Sequence, residues 1–165
     1  MNGRPSVYNL IQDKLSQCAR KWFARLRDKQ LTDAADTGAY VVVIDITEPT
    51  HPLLIGTVLI GFIDDPDKRA DYLSFAQEKC VRLALHPEHV SSAQSADESA
   101  GQYAGAVRSD QAIAGRMIAI GTSGLLALAD ESLSAMILFE CGLCSEDYLN
   151  TIEVASANQV LQQLY

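Results

Sequence analysis

A chain of 165 residues, 48% hydrophobic and 21% charged, is long enough to bury roughly 70% of its unfolded surface in one core. Its composition excludes a disordered, collagen-like or coiled-coil chain. The formal net charge of −8 argues against nucleic acid as a partner, because Lys and Arg must neutralise phosphates. The charge is unevenly laid out. Residues 1–30 hold Arg4, Lys14, Arg20, Lys21, Arg25, Arg27 and Lys29 against Asp13 and Asp28, a balance of +5; the remainder is −13, and no Lys or Arg follows Arg116.

From Val7 to Leu26 the apolar positions Val7, Leu10, Ile11, Leu15, Cys18, Trp22, Phe23 and Leu26 recur at steps of three and four, which predicts a long amphipathic helix. Trp22 and Phe23 read as core or, if exposed, as a homodimer surface. Ala39–Ile46 is a β-branched run expected for a strand buried on both faces. Thr47–Pro52 holds two prolines and predicts a turn into a second strand over Leu53–Ile63, forming a hairpin. Asp65-Pro66 supplies a cap residue and a first-turn proline for a second helix whose stripe is Ala70, Leu73, Ala76, Cys80, Leu83 and Ala84, ending by Pro87.

Ser91–Ala106 is eleven-sixteenths Ala, Gly or Ser and reads as a loop with a short helix. Ile113–Ile120, Leu125–Ala129 and Leu133–Cys141 read as three strands of an antiparallel meander, joined by turns at Gly121-Thr122-Ser123-Gly124 and Asp130-Glu131. Ser145 can cap a last helix to about Leu164, with Glu146 and Asp147 in its first turn. The expected fold is a single α+β domain, residues 1–165, ordered α-ββ-α-βββ-α, with five antiparallel strands covered by long helices. Opposite charge suggests that the first and last helices lie side by side.

The start of the chain lacks the apolar core of a secretory signal, and the runs Ala39–Ile44 and Val58–Ile63 are too short to span a bilayer. A cytoplasmic protein with no membrane partner is expected, its four cysteines reduced.

This order, together with Val41-Val42-Val43-Ile44-Asp45, Lys79-Cys80-Val81-Arg82-Leu83-Ala84 and Phe139-Glu140-Cys141-Gly142, resembles the profilin-like folds, and within them the GlcG/HbpS-like family. Those segments stand where that family has a strand ending in Asp, a long helix with a Lys-containing motif, and a final strand ending in Gly. Thr47–Pro52 replaces its tight glycine turn, and Gly115-Arg116-Met117-Ile118 answers its Gly-Gly-x-Pro-Ile element. The resemblance implies a profilin-like sheet, self-association, a role for Lys79, and, as in some members, haem or a related tetrapyrrole as ligand.

Among local motifs, Cys141-Gly-Leu-Cys144 before a helix could hold a low-pKa thiolate for redox exchange, although a thioredoxin-type pair follows an early strand. His86-Pro-Glu-His89, with His51 elsewhere, could ligate haem iron or a divalent metal with help from Glu88; the blander reading is a solvated cap whose imidazoles bond the last helical carbonyls. Tyr103 and Arg108 belong to a small-sided segment that could form a ligand-facing lid. Gly121-Thr-Ser-Gly124 is no nucleophile elbow, and no phosphate-binding loop is present. The expectation is a self-associating small-ligand-binding protein without a catalytic motif, using Lys79, His86, His89, Tyr103 and Arg108. A roadblock-like interaction module is the alternative, and a thiol-redox protein using Cys141 and Cys144 comes third.

Overall fold

The computed structural model describes residues 7–165; the expectations for Arg4 and for the side chains of Val7 and Leu10 lie outside the described residues. The elements are α1 (Val7–Asp28), β1 (Gly38–Asp45), β2 (Leu53–Gly61), α2 (Pro66–Ala84), β3 (Ala106–Arg108), β4 (Ile118–Ser123), α3 (Ala127–Glu140), α4 (Glu146–Ser156) and α5 (Gln159–Leu164), with short 3₁₀ turns at Ser92–Ser95 and Glu98–Ala100. The four strands form one antiparallel sheet in the order β2-β1-β4-β3.

The sheet lies between two helical layers. Side chains alternate along β1, so Ala39, Val41 and Val43 enter the core beneath α1, α3, α4 and α5, while Val42 and Ile44 meet Ala76, Cys80 and Leu83 of α2 on the other face. Both faces of β1 are dry, which is why its sequence is a continuous apolar run. α1 contributes Ile11, Leu15, Cys18, Ala19, Phe23 and Leu26 to the larger core.

The first half of the chain follows its sequence pattern; the second departs from it. The expected strands Leu125–Ala129 and Leu133–Cys141 are instead one helix, α3, buried from Ala129 to Leu138. A helix buried all round loses the 3.6-residue alternation that reveals a surface helix, and what remains is composition: Ala, Leu and Met, good helix formers, with Ile137 the one β-branched residue. The expected meander is thereby removed, and among the described residues the sheet has four strands rather than five.

The run Ile113–Ile120 yields strand only from Ile118, Ile113 forming an isolated bridge to Arg116, and the supposed turn Gly121-Thr122-Ser123 is the end of β4. β3 was hidden at the end of the small-residue segment. Phe139-Glu140-Cys141-Gly142 closes a helix, not a strand. The single final helix is two, α4 and α5, parted at Ala157, whose φ of 51° is left-handed and ends α4.

The neighbour of α1 is α3 rather than the last helix. Lys21 Nζ donates to Glu140 Oε1 at 2.8 Å and Trp22 Nε1 donates to Glu140 Oε2. α1 also faces the C-terminus, where Lys21, Trp22, Arg25 and Asp28 line a hollow with Leu164 and Tyr165, and just past the helix Lys29 Nζ donates to the Gln163 carbonyl at 2.6 Å.

Candidate functional site: an aromatic pocket over a buried ion pair

α2 is started by Asp65, whose carboxylate accepts from the amides of Asp67 and Lys68, with Pro66 in the first turn. Counting from that cap, Tyr72, Phe75 and Lys79 fall at steps of three and four and therefore share one helix face. α3 begins without a side-chain cap from Leu126. Asp130 takes over that duty from inside the first turn: its Oδ1 accepts from the Leu125 amide at 3.0 Å, where the positive end of the helix dipole favours an anion.

Lys79 and Asp130 sit on helices covering opposite faces of the sheet, yet their side chains meet. Lys79 Nζ lies 3.1 Å from Asp130 Oδ2 and donates to the Thr122 carbonyl at 2.7 Å. The passage exists because Gly105, just before β3, has no side chain. A Cβ there would stand 2.6 Å from both Lys79 Nζ and the Thr122 carbonyl, and its φ of +141° is itself a glycine conformation. Both charged side chains are 3% exposed or less. Burial outweighs the neighbouring ammonium at Asp130 and raises its carboxyl to about 6.

Above this pair opens a pocket of about 290 Å³, lined by Asp36, Tyr72, Phe75, Tyr103 and the Ser123–Leu125 turn, with Lys79 and Asp130 in its floor. Phe75 and Tyr103 meet edge to face, centroids 5.8 Å apart at 81°. A smaller hollow of about 170 Å³ shares Asp36, Tyr72 and Gly124 and adds Asp64, Asp65 and Lys68. Four carboxylates thus face two ammonium groups, and one of those, Lys79, is already paired.

Of the residues singled out from sequence, Lys79 and Tyr103 come together here. Arg108 does not: its guanidinium donates to the carbonyls of Leu83 and His86 at the end of α2, a capping role that the sequence had offered to the histidines. Burial lowers its pKa. Arg82, not foreseen, is buried and donates to the Ser92 carbonyl, Ser95 Oγ and the Tyr103 carbonyl, so the small-residue segment is strapped to α2. Asp36, Tyr72, Phe75 and Asp130 were missed; for the first three the helical spacing from Lys79 and the turn acid were the available signals.

His86 and His89 lie past the end of α2, away from this pocket, and His51 lies in the turn between β1 and β2. No histidine lines the pocket, and the rings of His86 and His89 stack on each other at 4.8 Å, so these donors do not fit an axial pair around a haem. A shallow groove of about 540 Å³ along α2, between Glu78, Arg82, Leu85, His86, Ser95 and Gln102, lacks a second histidine.

Cys141 is the residue that ends α3, at the negative end of a helix, and Cys144 precedes the cap of α4. Burial pushes both thiols up to about 12, the opposite of what a thiolate nucleophile needs. Asp45, at the end of β1, accepts from the Tyr8 hydroxyl and from the Thr47 amide at 2.9 Å, with Arg116 at 3.5 Å; these bonds tie α1 and the β4 approach to the sheet. Compared with family models, with curated proteins and with solved structures, the chain matches none.

Proposed function

We propose that the protein is a small-ligand-binding protein of profilin-like layout, resembling GlcG/HbpS proteins in its first half, the α-ββ-α order of α1 to α2, and that its ligand is a compact organic cation. The observation that carries this reading is the pocket itself: aromatic rings of Tyr72, Phe75 and Tyr103 above the Lys79–Asp130 pair, with Asp36 in the wall as a carboxylate that no ammonium group pairs among the described residues. Aromatic faces and an uncompensated carboxylate are the two attractions a desolvated amine or quaternary ammonium group needs. A volume of about 290 Å³ is at the small end of ligand pockets and suits a single-ring or short-chain amine rather than a tetrapyrrole. The bridge between Ser91 and Val107 extends the β3 edge and supports the profilin-like layout.

Calorimetry with tetramethylammonium, choline and benzylamine tests the proposal against the uncharged isostere of choline, 3,3-dimethylbutanol. At least one cation is expected to bind, more weakly at high salt, with Tyr103→Ala and Asp36→Asn each lowering affinity about tenfold. Equal binding of the neutral isostere, or no binding by any of the cations, overturns it.

A second reading, a roadblock-like interaction module, is favoured by one feature: β2 is an edge strand with exposed apolar side chains at both ends, Leu53 and Leu54 at its start and Phe62, 68% exposed, just past its last residue. Exposed edges and apolar patches of this kind serve association. Light scattering of the wild type and of Leu54→Lys separates the two, since loss of an oligomer in the variant supports association through this edge and a monomer throughout rejects it.

A further inference from the structure

Beyond the pocket, a second cluster of side chains gathers where α2 ends. His86-Pro87-Glu88-His89 is a tight turn, closed by the His89 amide donating to the His86 carbonyl at 2.9 Å, with proline at the second position, where such turns favour it. A turn of this kind brings its first and fourth side chains together. Here both are imidazoles, and the third residue is an acid that reaches back between them. His86 Nδ1 and His89 Nε2 each lie 3.4 Å from the same Glu88 oxygen, Oε1, and the three residues each place a ligand atom within 4.8 Å of the other two.

These separations are longer than good hydrogen bonds, which run to about 3.2 Å. They match the edge, about 3.3 Å, of a tetrahedron with ligand bonds of about 2.05 Å, the length zinc makes to imidazole nitrogen and carboxylate oxygen. We infer that this turn is a binding site for a divalent first-row transition ion of the zinc type, held by His86 Nδ1, Glu88 Oε1 and His89 Nε2. Two imidazoles and one carboxylate leave the fourth position to water or to an incoming donor. The two rings are stacked 13° from parallel, so the ion is taken up by rotation of the His86 ring, whose side chain is 42% exposed, which closes the third edge and turns its in-plane lone pair toward the ion.

Two neighbours define the site further. The His89 side chain is only 18% exposed and its Nδ1 is buried without a partner, which leaves Nε2 as the nitrogen presented to an ion. Arg108, the cation held against the His86 carbonyl, is engaged with main-chain oxygens of α2; its charge opposes that of the ion, so the site is suited to reversible binding rather than to a permanent structural metal.

Cobalt(II) is the probe that separates this cluster from the cysteines, because thiolate ligation adds a sulfur-to-metal charge-transfer band that nitrogen and oxygen ligands lack. Titration of the full chain, with thiols reduced, is expected to give one ion per chain and visible ligand-field bands without that band, with zinc displacing the cobalt. His86→Gln and Glu88→Gln, both at exposed positions that leave the fold intact by thermal unfolding, are expected to weaken binding at least tenfold, and Cys141→Ser and Cys144→Ser to leave it unchanged. The inference fails if no cobalt spectrum develops, if both glutamine variants bind as the wild type does, or if a sulfur band appears and vanishes in a serine variant.

Discussion

Asp130 and Glu131 are adjacent on α3 and both are fully buried, yet the fold keeps them in different company. Asp130 points toward the sheet and meets an ammonium group that has crossed it; Glu131 points away, toward α4 and the Ser91 loop, and meets only neutral donors. Ser91 Oγ, Ser156 Oγ and Asn158 Nδ2 all donate to its carboxylate, the last at 2.8 Å. Burial raises the pKa of both acids. A buried acid thus becomes part of a site or part of a scaffold according to its partners: Asp130 shares its charge with a cation under an open pocket, and Glu131 uses its oxygens to gather three separate segments.

The largest loss is expected at Lys79. Lys79→Met leaves Asp130 buried beside no cation, and a loss of about 3–5 kcal/mol is expected in urea unfolding, most of it recovered in the double variant Lys79→Met, Asp130→Leu, because removing both charges also removes their desolvation. A double variant as unstable as the single one would show that the pair is needed for packing rather than for charge balance.

Gly105→Ala comes next, with an expected loss of at least about 2 kcal/mol, since the new methyl group must displace the Lys79 ammonium or the Thr122 carbonyl. The same gap has no counterpart at Glu131. Glu131→Gln keeps the shape and much of the bonding, and about 1 kcal/mol is expected by the same measurement.

The pH dependence sharpens the contrast. A raised folded pKa means that the proton prefers the folded state, so the stabilisation is present in acid and is lost as pH climbs to the folded value. For Asp130 that window runs from its ordinary 3.8 to about 6. The urea midpoint is expected to fall across this range in the wild type, and to fall less in the Lys79→Met, Asp130→Leu variant, where Glu131 alone contributes. An identical slope in both would remove Asp130 as its source.

The smallest effect belongs to the surface. Lys21→Glu places like charges at the pair with Glu140, whose lysine is 57% exposed. A loss of about 0.5–1 kcal/mol that shrinks with added salt is expected.

How far all this could be read from sequence depends on where the determining contacts lie. α1, β1, β2 and α2 were legible because each meets solvent on one side or shows a proline or cap at its boundary, so that periodicity and punctuation survive in the residues themselves. α3 was not, because full burial erases periodicity, and with it went the role of Asp130, read as part of a turn. Lys79 and Tyr103 were singled out and do share the pocket. Arg108 and the histidines were singled out too, but their places depend on where α2 stops relative to β3, a relation between distant segments that no local pattern carries. Glycine at 105 could be noted, but what must pass beside it is visible only in three dimensions.

The outer strand β2 carries a final consequence. Its pairing with β1 shifts between Val43 and Ile44, so that Ile55 is an extra residue bulged out of the ladder. Gln12 of α1 donates its side-chain amide to the Ile55 carbonyl at 2.9 Å, filling an acceptor on the bulge. A strand arriving from another molecule therefore finds an interrupted template, with regular backbone only from Gly56 to Gly61. That short stretch permits a partner to add, and the kink beside it works against the continuous edge-to-edge growth that a flat nine-residue apolar strand would invite.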